Sequence, residues 1–163
     1  MGTLAYYLVL PFLYGISLLP FPLLYLLSDG VFVLLFHVIR YRRDVVRTNL
    51  RNSFPEKSAA ELARIEHAFY RWFCDLTLET VKTLTISTKA VMGHVHVEGE
   101  QVLRKYHEQG RSIVLVMGHW GNWELAGARF SQMGLHHLNV IYHPLHSKKF
   151  NALIIHMRTR LGN

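Results

Sequence analysis

The sequence predicts an α/β protein in which apolar, membrane-associated helices precede a partial parallel βαβ sheet. Three observations carry that expectation. No charged side chain occurs before Asp29, apolar residues recur at helical spacing through the middle, and beyond His94 short apolar runs alternate with polar helical ones between glycines. The divisions that follow are an apolar arm over 1–39, a basic and amphipathic helical segment over 40–92, and the N-terminal part of an α/β core over 93–163.

Composition narrows the class. A chain of 163 residues holds no long repeat array, and with 50% apolar residues it is no disordered tail. Charged residues make up 18%, below the roughly 25% usual for soluble domains. The single cysteine, Cys74, excludes an intrachain disulfide and a cysteine-based zinc site, which fits a reducing, cytosol-facing environment. The net charge of +7 points to an anionic membrane or an acidic carrier. Nucleic acid is not expected, because aromatic residues are not interleaved with base-reading Arg and Lys.

The run LAYYLVLPFLYGISLLPFPLLYLL, from Leu4 to Leu27, is 24 residues without a charge, longer than the ~18 that mark a candidate membrane span. Pro11, Pro20 and Pro22 each remove a backbone donor, so two bent or re-entrant helical pieces are expected rather than one clean span. Ser28 or Asp29 is placed to cap a second helix through VFVLLFHVIRYRRDVVRTNL. The segment lacks the basic start and small-residue cleavage site of a signal peptide. A buried hydrophobic hairpin in a soluble fold is the alternative. Arg40, Arg42, Arg43, Arg47, Arg51 and Lys57, against Asp44 and Glu56, make the flank basic and place it on the cytoplasmic side.

The turn-rich stretch Asn52–Ser58 leads into AELARIEHAFYRWFCDLTLETVKTL, which reads as one long amphipathic helix. Phe69, Trp72, Phe73, Leu76 and Val81 are expected in its packed face, and Asp75, Glu79 and Lys82 on a charged edge. After it, HVHVEG, RSIVLVM and HLNVIYHP read as strands, with IVLV as a buried central one. EQVLRKYHEQG and NWELAGARFSQM read as the intervening helices.

In open α/β sheets, ligands sit beyond the carboxyl ends of the strands. Two segments are expected there: Gly118-His119-Trp120-Gly121-Asn122-Trp123-Glu124 and Tyr142-His143-Pro144. With Asn122 as N-cap, Glu124 falls in the first helical turn, where the helix dipole favours an ionised carboxylate. Such a carboxylate orients one imidazole nitrogen of His119 and leaves the other as a base. Gly118 and Gly121 permit the sharp backbone path between them, and the loop's amides are placed to face developing negative charge. No serine or cysteine nucleophile accompanies the pair, so direct transfer to a substrate hydroxyl is expected.

GHWGNWE resembles the H-x-x-x-x-(D/E) signature of the late acyltransferases of lipid A biosynthesis, the lauroyl and myristoyl transferases, within the glycerolipid acyltransferase superfamily. YRRDVVRTNLRNSFPEKS and FYRWFCDLTLETVK are also similar to that family's N-terminal half. The resemblance implies His119 as general base and Glu124 as its partner, with Gly121, Asn122 and His143 on the substrate-binding side. It implies an acyl carrier protein thioester as donor and a hydroxyl of a phosphorylated lipid A precursor as acceptor, at the inner membrane with the catalytic part facing the cytoplasm. No metal or organic cofactor is implied. Where the family has Arg in a Y-R-P block, this chain has His143. Family members are also much longer, so the sheet is expected to be truncated at Asn163.

Other readings stay open: a noncatalytic membrane-anchored lipid-binding module, or an acyltransferase acting on an aminolipid or lysophospholipid. Nine of the eleven histidines lie between His94 and His156, but none has zinc-ligand spacing, and surface or structural roles are expected for all but His119 and His143. Lys148, Lys149, Arg158 and Arg160 read as a solvated or phosphate-facing helix surface.

Overall fold

The structure, a computed structural model, describes residues 3–162. Among these residues the architecture is helical: α1 (Thr3–Leu18), α2 (Phe21–Val33), a π-helical turn (Leu34–Ile39), α3 (Arg43–Ser53), α4 (Ala59–Lys82), α5 (Thr88–His94), α6 (Glu100–Glu108), α7 (Trp123–Gln132) and α8 (Lys148–Arg160).

The expected partial βαβ sheet is not formed, and no strand occurs among the described residues. His94 belongs to the end of α5, and residues 95–97, 112–117 and 138–142 run without a ladder partner. A central strand is buried because neighbours cover both its faces and take up its backbone groups. Here Val114, Val116 and Ile141 are 90%, 88% and 102% exposed, so the apolar content that suggested a buried strand is not buried.

The chain divides into two compact units. One comprises Leu19–Glu79, and the other joins α1 to the residues from Thr80 onward. In the first, α2 starts after Pro20, and Pro22 is accommodated in the opening turn, where a missing N–H breaks no helical bond. Ser28 and Asp29 therefore lie inside α2 rather than capping a helix, and Ser28 is buried. The helix widens into the π-turn and stops at Arg40 in the left-handed conformation (φ 55°), with Arg42 also left-handed (φ 52°) before α3. For non-glycine residues that conformation costs roughly 1–2 kcal/mol each. The single helix expected through this region is thus broken by a turn that puts Arg40 and Arg42 on its outside.

Ser58 opens α4 with a reciprocal capping box. Its hydroxyl accepts from the Glu61 N–H (3.3 Å), and its own N–H donates to the Glu61 carboxylate (2.9 Å). The core of this unit is aromatic: Phe32, Phe36, Tyr70 and Cys74 are buried, with Val31, Leu35, Val46 and Phe69 against them. Glu66 is buried too. It accepts from Arg43 Nε at 2.8 Å and from Arg47 Nε at 3.1 Å, and the Tyr70 hydroxyl closes the same region by donating to the Tyr41 carbonyl.

In the other unit, Tyr6, Leu10, Leu13 and Tyr14 of α1 pack on a core of Leu84, Leu153 and Met157. Lys82 Nζ and the Thr85 hydroxyl both donate to the Ser17 carbonyl in the last turn of α1, at 2.8 and 2.5 Å. Arg160 donates to the carbonyls of Thr83 and Ile86, and so joins the end of α8 to the turn after α4. Glu79 accepts from Tyr25 within the first unit.

Candidate active site

The site is organised by the start of α7. Gly121 takes φ +66°, reversing the chain after His119 and Trp120, and Asn122 then caps the helix, its side chain accepting from the Leu125 N–H at 3.0 Å. This local chemistry puts Glu124 in the first turn of α7, as expected. His119 lies in the bend before it and is exposed, with its ring edge-on to Trp123 at 4.6 Å.

His119, Trp123 and Glu124 open on one cavity of about 800 Å3. Its walls are largely apolar, with Ile113 and Leu115 from one extended segment, Leu138 and Val140 from the other, and Phe130 from α7. Thus the two segments expected as strands do meet, as the lining of a cavity instead of neighbours in a sheet.

The carboxylate of Glu124 faces Arg158 of α8, accepting from Nε at 3.0 Å and from Nη2 at 2.5 Å. His119 and Glu124 share the cavity, but the imidazole does not donate to the carboxylate; Arg158 takes both of its oxygens. The Glu124 hydrogen bonds raise the pKa of Arg158, outweighing its burial, so the guanidinium is a fixed cation. It also lies over the Tyr142 ring at 5.5 Å.

Arg158 therefore belongs to the site, although its sequence context reads as helix surface. The available signal is its register on α8, one position past the buried Met157 and four past Ile154. His143 follows Tyr142 but is exposed and does not line the cavity. Cys74 is buried in the other unit, where burial pushes its thiol up and away from nucleophilic use.

Helices α2 and the π-turn form one continuous apolar stretch, Phe21–Ile39, long and apolar enough to cross a membrane. Comparison with curated proteins and with solved structures finds no match. The family model for bacterial lipid A biosynthesis acyltransferases matches residues 2–163, which contain the cavity. The chain therefore belongs to the bacterial lipid A biosynthesis acyltransferase family.

Proposed function

We propose that this chain transfers a fatty acyl group from acyl carrier protein to a hydroxyl of a lipid A precursor at the cytoplasmic face of the inner membrane. The observation that carries the reading is the convergence of His119 and Glu124 on one apolar-walled cavity in a chain of this family. Residues 1–39 supply the membrane arm, 40–92 the basic helical segment, and 93–163 the part that performs transfer.

His119 takes the proton of the acceptor hydroxyl as its oxygen attacks the thioester carbonyl carbon. The C–O ester bond forms, the C–S bond breaks, and the proton held by His119 passes to the departing thiolate. Glu124 favours the imidazolium formed between those steps, and Arg158 fixes where that carboxylate lies. Gly121 and Asn122 shape the loop whose amides face the oxyanion, and His143, next to Tyr142, meets the acceptor's phosphate at the rim. The apolar walls take up the acyl chain.

One observation favours the noncatalytic lipid-binding reading: Arg158 occupies both oxygens of Glu124. The two readings separate in a transfer assay in mixed micelles with acyl carrier protein thioester and phosphorylated precursor. Transfer is expected, with a loss of about 100 to 10,000-fold in His119→Ala, the usual range for a missing general base. Binding of precursor without any transfer, or full transfer by His119→Ala, would overturn the catalytic reading.

A further inference from the structure

The basic flank of the apolar stretch is not uniform. Arg43 and Arg47 are consumed by Glu66, at 2.8 and 3.1 Å. Arg40 and Arg42 are exposed, and among the described residues neither side chain has a hydrogen bond or an ion pair; Asp44, the nearest acid in sequence, forms no ion pair with them. Both sit on the left-handed turn that ends the apolar stretch, where Val33, Leu34, Val38 and Ile39 are exposed.

Next to this turn α3 and α4 leave a groove of about 280 Å3. Arg42, in the turn before α3, and Val45, Val46 and Asn49, spaced on one face of α3, supply one side, and Phe69, Tyr70 and Phe73 of α4 supply the other. The groove is apolar within and carries a guanidinium and an amide on one wall. An apolar channel with an unpaired cation beside it, continuous with exposed apolar helix, matches a molecule that is itself apolar with one anionic end.

We propose that the α3–α4 groove, with Arg42 on its wall and Arg40 beside it, is a binding site for one anionic phospholipid, whose phosphate meets the two arginines and whose acyl chain enters the groove. The site is separate from the acyl-transfer cavity, and its test does not read transfer, so it stands or falls apart from the proposed activity.

The full chain in detergent is titrated with dioctanoyl phosphatidylglycerol, dioctanoyl phosphatidylcholine and inorganic phosphate, and binding is followed by native mass spectrometry. Arg40→Asn/Arg42→Asn removes both charges with a residue that tolerates the left-handed conformation, so the turn keeps its shape. Arg51→Asn/Arg64→Asn is the charge-matched control, and Val45→Trp fills the groove while leaving all arginines in place.

Phosphatidylglycerol is expected to bind about 25-fold more weakly to Arg40→Asn/Arg42→Asn, at about fivefold per arginine near an anionic surface. Val45→Trp is expected to weaken it at least tenfold, and the control by less than twofold. Three results would each overturn the site. These are equal losses in the two double variants, equal binding of the two lipids, or competition by phosphate at the same concentration.

Discussion

Arg158 grips Glu124 through both carboxylate oxygens, at 3.0 Å from Nε and 2.5 Å from Nη2, across 34 residues of chain. A fork-to-fork pair of this kind fixes the plane of the carboxylate as well as its position. It also ties α8 to the first turn of α7, so the loop that carries His119 ends on an anchored helix.

That pair makes a stability prediction. Both side chains are mostly but not fully buried, so removing one partner leaves a charge whose desolvation is only partly relieved by water. Arg158→Met is expected to cost roughly 1–3 kcal/mol, between the values for exposed and buried pairs. The double variant Arg158→Met/Glu124→Gln should recover part of that loss. Purely additive losses in thermal melts of Arg158→Met, Glu124→Gln and the double variant would show that the pair has no coupling.

Glu66 gives a pH prediction. Burial pushes its carboxyl up, but the hydrogen bonds and charges of Arg43 and Arg47 outweigh burial and hold it below the usual carboxylate range. A folded-state pKa below the unfolded value near ~4.3 contributes stability that is complete above ~4.3 and lost as pH falls through the folded pKa. The melting temperature should therefore drop on acidification below pH ~4.3 more steeply in the native sequence than in Glu66→Gln. Parallel acid profiles would show that these ion pairs do not set the acid limit.

The packing of α1 gives a third. Leu13 meets the core of Leu84, Leu153 and Met157, so this helix does more than provide apolar surface. Leu13→Ala is expected to lower stability by roughly 1–3 kcal/mol, less than a fully buried leucine. Leu8→Ala, at an exposed position of the same helix, should have little effect. Equal melting shifts in the two variants would mean that α1 does not pack as described.

What was legible in the sequence was what local chemistry decides. Asn122 announces the start of α7 because a cap needs only its own next three residues, and the long α4 follows from apolar spacing over 24 residues. The apolar runs at 113–117 and 138–142 read as strands but form none, because a strand depends on partners elsewhere in the chain, and apolar content does not supply them. The Arg40 and Arg42 turn carries no glycine to mark its left-handed backbone. Arg158 reads as helix surface until the fold brings α8 beside α7.

His143 gives the last prediction, because it adjoins the cation of the site without lining the cavity. Its neighbour Tyr142 lies under the Arg158 guanidinium, so a group on the acceptor that passes the rim meets position 143 beside a positive charge that is already fixed. A second permanent cation there should strengthen contact with phosphate, since a guanidinium binds phosphate through a planar fork that an imidazole lacks. Position 143 does not line the cavity that His119 and Glu124 open on, so the gain belongs in acceptor binding and not in the bond-making step. His143→Arg is therefore expected to lower KM for the phosphorylated acceptor with kcat unchanged. The measurement is a pair of acceptor titrations, one for each protein. If KM is the same in both proteins, position 143 does not meet the phosphate.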